Sequence, residues 1–223
     1  MIKLSEYLTE AKEGKNVHLE HIEDLVFNEG VSGTRNAILF LRSVRDMLSG
    51  TSTKPINITT KWDGAPAIFA GIDPEDGKFF VAKKGLFNVN PQMFKSLADI
   101  SNSGMSAELQ SKFTTSYTEF KKLGIKKGVY QGDLMFTKED LSKETINGVS
   151  YITFQPNTIV YAVPATSSLA KKIRKSKIGI VWHTTYTGDT IENMTSSFGK
   201  SIISKMRSVS TVWMDDATYK DVS

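Results

Sequence analysis

Apolar positions recur along the chain at two different periods, and the change of period divides it. Leu4, Tyr7, Leu8 and Ala11 repeat at helical spacing and predict a short amphipathic helix in the first dozen residues. Glu13-Gly14-Lys15-Asn16 breaks it. Leu19, Ile22, Leu25 and Val26 stripe a second helix that ends near Asn28-Glu29-Gly30. Ser32-Gly33-Thr34 can cap a third, whose face is Ala37, Ile38, Leu41, Val44 and Leu48. Residues 50–55 close this region. Beyond them the pattern turns to strands: residues 56–60 alternate as a half-buried strand does, and residues 67–72 have the composition of a buried one. Residues 78–85, 129–136, 150–154, 158–163 and 178–189 also read as strands. One long helical stripe interrupts them, Leu109, Phe113, Tyr117, Phe120 and Leu123, stopped by Gly124. The tail offers a short helix around Ile202-Ile203 and a strand at Thr211-Val212-Trp213-Met214. The pattern predicts an α+β fold: a helical region over residues 1–50, then over residues 51–223 a twisted, mainly antiparallel sheet with the 109–123 helix on one face.

Composition narrows the class without naming a chemistry. A chain of 223 residues, 39% hydrophobic and 23% charged, can bury a sizeable core. No apolar run approaches the length that spans a bilayer, and Met1-Ile2-Lys3-Leu4-Ser5-Glu6-Tyr7 lacks the apolar core of a signal peptide. A cytoplasmic protein with no membrane partner is therefore expected. The absence of cysteine excludes disulfides and cysteine-ligated zinc. A formal charge of +4 and a pI of about 9.0 are compatible with a phosphate-bearing partner but do not demand one. Lysines and arginines cluster most densely at Lys171, Lys172, Arg174, Lys175 and Lys177. That run is either a solvated helix end or an edge that tracks nucleic-acid phosphates. His18 and His21 lie one helical turn apart, but no third metal ligand is indicated, so a solvated helix face is the simpler reading. Arg35 and Arg42 share a helix face, as phosphate contacts or as ordinary surface.

The chemistry centres on Thr60-Lys61-Trp62-Asp63-Gly64, between two strand signals. Asp63-Gly64 supplies a turn, because glycine accepts positive φ and lets another group approach the backbone. A lysine so placed can meet a phosphate, or it is a solvated strand-end lysine.

This string resembles the first motif of the covalent nucleotidyltransferases, the superfamily of ATP- and NAD-dependent DNA ligases, RNA ligases and mRNA capping enzymes. Three further pieces match in order. Lys83-Lys84-Gly85, at the end of the next strand, looks like the second basic motif, with Lys83 in the place of an arginine. Gly132-Asp133 in a hydrophobic strand resembles the third motif, where glutamate is commoner. Residues 178–189 look like the next family strand, with Trp182 where an aromatic stacks on the purine; its other reading is a core aromatic. Pro66 stands where the first motif of DNA ligases has arginine, which leans the resemblance to the RNA ligases. No acidic-Gly-apolar-apolar-x-Lys or Lys-x-Lys string follows Trp182, so the fourth and fifth motifs are missing. The whole sequence is also similar to uncharacterised proteins of large tailed bacteriophages, whose setting would be the host cytoplasm.

The resemblance implies a ligase-type fold over residues 51–223 and a lysyl-nucleotide intermediate. Lys61 attacks the α-phosphate of ATP, or of GTP or NAD, and expels pyrophosphate or nicotinamide mononucleotide. A lysine's ordinary pKa of about 10.4 leaves little free amine at neutral pH, so Lys83, Lys84 and Mg2+ are expected nearby as cations. Thr60, Asp63, Gly64 and Trp182 are expected around the nucleotide, and Asp133 on its ribose or on the metal. The alternative is a ligase-like module that binds nucleotide, nucleic acid or a host protein without transferring anything.

Overall fold

The computed structural model describes residues 22–51, 60–88, 90–198 and 202–217. The chain divides into two compact units, Met1–Ile58 and Thr59–Ser223. In the first unit, helix α1 (Ile22–Leu48) is helical throughout except at Gly30, whose φ of 55° and ψ of −127° lie outside the helical region. Only glycine takes that backbone readily. The second and third helices expected from sequence therefore abut at Gly30, and Ser32-Gly33-Thr34 lies inside the helical run rather than at a cap. The stripe of Leu4 to Ala11, the His18 and His21 pair and the strand expected at residues 56–59 lie outside the described residues.

The second unit is built on a seven-stranded sheet among the described residues. Its strands are β1 (Ala67–Ile72), β2 (Phe79–Ala82), β3 (Met93–Phe94), β4 (Val129–Thr137), β8 (Ile178–Thr187), β9 (Thr195–Phe198) and β10 (Val212–Asp216). They run in the order β10-β8-β4-β1-β2-β3, with β9 also on β8. Every pairing is antiparallel except β10 on β8. A smaller antiparallel sheet holds β5 (Ser142–Ile146), β6 (Val149–Phe154) and β7 (Tyr161–Pro164). The fold is thus α+β with mostly antiparallel sheets.

Helix α3 (Ala107–Phe120) starts at Ser106, whose hydroxyl accepts the Leu109 N–H, and runs into a 3-10 turn at Lys121–Leu123. Gly124, at φ 67°, ends it. Phe113, Phe120 and Leu123 are fully buried against Ile68, Val81, Leu134, Ile180 and Trp182 on one face of the large sheet. Each buried phenylalanine contributes about 2–3 kcal/mol. A short helix α2 (Leu97–Ser101), held by a reciprocal Ser96–Asp99 cap, adds Ile100 to the same core. Across the sheet a second cluster joins Phe136 and Val181 to Ile152 and Phe154 of β6 and to Ala170 and Ile173 of helix α4 (Ser168–Lys175). The small sheet and α4 therefore pack at one end of the face opposite α3.

Two strands depart from the sequence reading. The strand expected at 158–163 begins only at Tyr161, because the Thr158 and Ile159 N–H groups bond a side chain elsewhere. Strand β5, not expected, pairs with β6 through an Asn147-Gly148 turn with φ of 51° and 77°, the positive-φ pair that suits a two-residue hairpin.

Candidate functional site

Lys61 is exposed and lies shortly before β1. Two contacts set its path. The Thr60 N–H donates to the Ala217 carbonyl at 2.8 Å, and the Ala217 N–H donates to Trp182 of β8 at 2.8 Å. Beyond Gly64, the Ala65 N–H donates to the Leu134 carbonyl at 2.9 Å, which starts the pairing of β1 with β4. Gly64 and Ala65 therefore lie against the middle of β4.

There Gly64 meets Asp133. A Cβ on Gly64 would lie 2.6 Å from the Asp133 Cβ and 2.9 Å from the Leu134 carbonyl oxygen. The expected turn at Asp63-Gly64 is corrected: residues 61–64 form no turn and Gly64 does not take a positive φ, and its missing side chain serves instead the close approach to the strand carrying the second acidic residue. Asp133 and Lys61 come from distant segments and interact electrostatically. Burial pushes the Asp133 carboxyl up from 3.8 to about 6; the Lys61 charge pulls it down and the Asp63 charge pushes it further up.

Asp63 has a different task. Its carboxylate accepts from the Ile159 N–H at 2.8 Å, the Asn157 amide at 2.8 Å and the Thr158 N–H at 2.7 Å, while its own N–H donates to the Tyr161 hydroxyl at 2.9 Å. The Ile159 N–H and the Asn157 amide hold it below the usual carboxylate range, with smaller help from Thr158 and Lys61. Trp62 stacks on Tyr161 with ring centres 5.6 Å apart. Asp63 therefore ties the Lys61 segment to the β6–β7 loop.

Trp182 is placed otherwise than as a base platform. It pairs with Gly132, so it shares that residue's face of the sheet, while Asp133 points to the other face. Trp182 is fully buried, its ring 5.3 Å from Phe120 of α3 and 6.5 Å from Tyr130. A Cβ on Gly132 would sit 2.9 Å from the indole, so the glycine before Asp133 makes room for the tryptophan. The expected stacking role is corrected: Trp182 is a core residue beneath α3.

Other side chains share the Asp133 face. The pairing of β4 with β8 shifts register between Gln131 and Gly132, opposite His183. The His183 Nε2 lies 3.9 Å from the Asp133 carboxylate, and its Nδ1 is 2.7 Å from the Thr184 hydroxyl. Burial lowers His183 from 6.5 to about 4, so at neutral pH this is a neutral ring beside a carboxylate and not an ion pair. Further along, the Tyr186 hydroxyl donates to Gln131 Oε1 at 2.6 Å, and the rings of Tyr186, Phe69 and half-buried Phe87 pack together. His183, Gln131 and this aromatic group escaped the sequence reading. A bulge has no local signature, and the strand's aromatic and polar residues do not announce which face they take.

Lys83 and Lys84 directly follow β2, whose last residue, Ala82, pairs with Phe69; they leave the sheet at the end where β1 begins. Lys83 is half-buried and Lys84 exposed. The later basic run does not converge on one point. Lys171, Lys172, Arg174 and Lys175 are exposed on α4, with Arg174 donating to the Ala165 carbonyl at 3.0 Å. Lys177 lies 3.7 Å from the buried Glu119 carboxylate. Among the described residues no group of three or more His, Asp or Glu side chains gathers as a metal site, and no helix is long and apolar enough to cross a membrane.

A family model matches residues 16–223. The chain belongs to DUF6267, a family of unknown function. No curated protein and no solved structure matches it. Membership in DUF6267 thus covers the whole of the second unit, including Lys61, Asp63, Gly64 and Asp133, and assigns none of them a role.

Proposed function

We propose that this DUF6267 protein is a nucleotidyltransferase in which Lys61 forms a covalent lysyl-nucleotide, with ATP as the first candidate donor and GTP or NAD as the others. The observation that carries the reading is that Gly64, three residues after Lys61, packs on Asp133 with no room for a Cβ, where the Lys61 charge acts on the Asp133 carboxyl. A lysine, an Asp-Gly pair and a strand acid are among the elements the ligase resemblance implies around the nucleotide, and this proximity supports the reading.

In the proposed step the Lys61 amine attacks the α-phosphorus, a P–N bond forms and the bond to the leaving oxygen breaks; pyrophosphate, or nicotinamide mononucleotide from NAD, departs with its electron pair and the amine proton passes to solvent. Asp63 fixes the segment, so Lys61 projects from a backbone anchored at Ala217, Asn157 and Leu134. Lys83 and Lys84 supply positive charge for the phosphates. Asp133 fits a magnesium site of the kind completed by substrate phosphates, since such sites need only one or two carboxylates. Bound there, Mg2+ would neutralise charge on the leaving group. Half-buried Phe87, on the aromatic group beside Gln131, replaces Trp182 as the candidate base contact. The acceptor under this reading is a polynucleotide of the RNA-ligase type, approached by the exposed cations Lys84 and Lys171.

A second reading is a ligase-like module that holds nucleotide, nucleic acid or a host protein without transfer. The commitment of Trp182 to the core favours it, because the residue in the family's stacking position is unavailable to a base. Incubation with α-labelled ATP, GTP or labelled NAD and magnesium separates the two. Transfer predicts label that survives denaturation and is lost in Lys61→Ala; binding alone predicts retention only under native conditions, equal in both proteins.

A further inference from the structure

Two basic residues of α4, Lys172 and Lys175, line a groove whose lining does not include Lys61. With Leu169 they form one wall of this open groove of about 860 Å3. Its floor is β10, including the exposed Asp215, and its far wall carries Ile203, Met206 and Val209 with serines between them. The walls lie on opposite faces of the sheet: Trp213 packs with the cluster that includes Ala170 and Ile173 of α4, whereas Met214 packs with the cluster that includes Ile203, Met206 and Val209.

Strand β10 is the outer strand of the sheet and is bonded on one side to β8. The Thr211 carbonyl accepts from Lys177, and the Ala217 N–H donates to Trp182. A residue of a parallel strand turns its N–H and C=O toward the same side, so odd-numbered residues face β8 and even-numbered ones face the groove. The Val212 N–H is taken up by the Val209 carbonyl at 3.0 Å and the Asp216 N–H by the Asp215 carboxylate at 2.9 Å. Met214, between them, presents its N–H and C=O to the groove, and no described residue pairs with them. An open edge of this kind is a template for an added strand.

We propose that this groove binds an extended acidic peptide segment of a partner protein, which adds as a strand to β10. Successive side chains of an added strand alternate between the two faces, so acidic ones meet Lys172 and Lys175 while apolar ones meet Ile203, Met206 and Val209. A nucleic-acid strand matches the groove less well: of the basic run Lys172 and Lys175 line it, whereas Arg174 is engaged by Ala165 and Lys177 lies against Glu119. A second copy of the chain also fits poorly, because its β10 is recessed between the same two walls.

The test uses the full chain and a fluorescein-labelled Val-Glu-Val-Glu-Val-Glu-Val peptide, with labelled single-stranded RNA in parallel, read by anisotropy. Saturable peptide binding is expected, weakened about tenfold or more by K172E/K175E and by Met214→Pro. Proline removes an outward N–H without breaking the ladder to β8. Hydrogen exchange on the unmodified protein gives a second readout, with slowed exchange at Met214 when the peptide is added. Absence of peptide binding, RNA binding in its place, or peptide affinity and Met214 exchange that ignore these changes would overturn the proposal. Lys61→Ala should leave the peptide affinity unchanged.

Discussion

Asp133 holds its carboxyl in a costly place. Burial raises it from 3.8 to about 6, so the folded chain keeps that proton more tightly than the unfolded chain. The stabilising effect of the bound proton is present in acid and lost as pH rises from about 4 to 6. Asp133→Asn should therefore stabilise the fold at pH 7 by up to about 3 kcal/mol, and the gain should shrink to nothing near pH 4. Thermal melts of both proteins across that range check it; an equal difference at all pH values would refute it. The same substitution removes the proposed metal contact, so stability should rise while nucleotide transfer falls. His183 works the other way, since its folded value of about 4 lies below 6.5 and its contribution is lost as pH falls through that window. Gly64→Ala places a Cβ 2.6 Å from that of Asp133, and should cost about 1–3 kcal/mol by forcing the segment off β4; urea melts measure it. Lys61, Asp63 and Gly64 could be picked out in the sequence because a lysine and an Asp-Gly pair between strands form a local string. His183 could not, because its position beside Asp133 depends on a register shift between β4 and β8.

At the scale of elements, the segment holding Lys61 is only as firm as the β6–β7 loop to which Asp63 is bonded. Asp63→Ala leaves the Thr158 and Ile159 N–H groups without their acceptor. Hydrogen exchange at those two amides should accelerate while exchange in α3 stays slow; unchanged protection would contradict the clamp. The strand holding Trp182 gives a separate expectation. Trp182→Phe should lower stability by about 1–2 kcal/mol through lost core volume, softened because the buried indole N–H has no acceptor among the described residues. It should leave nucleotide binding unchanged, whereas a base platform would lose affinity. The 109–123 helix was legible because its stripe is long and Gly124 ends it, and β1 because residues 67–72 are almost all apolar. Asn147-Gly148 is an equally local hairpin signal, but the polar and fully exposed β5 beside it lacks the alternation that marks a half-buried strand. Which face Trp182 takes is set by its partner Gly132, and pairing across strands is not written in either strand alone.

For the molecule as a whole, the core beneath α3 and the cluster beneath the small sheet draw all their residues from the second unit. A fragment of residues 59–223 should thus unfold cooperatively, with a Tm within about 5 °C of the full chain; a broad, non-cooperative melt would show that the first unit completes the fold. The α+β class and the change from helices to sheet were readable because the hydrophobic period itself changes. The order of the strands was not, since β10 joins the sheet from the end of the chain, in parallel, beside β8. The central claim concerns one atom, the Lys61 Nζ. Intact-mass and peptide-mapping spectrometry of the denatured protein after exposure to ATP and Mg2+, then to GTP and to NAD, tests it most directly. A mass gain of one nucleoside monophosphate on the peptide containing Lys61, lost in Lys61→Ala and restored to unmodified lysine by added pyrophosphate, is the predicted result. Well-folded protein with no adduct from any donor, or an adduct on another residue, would contradict it.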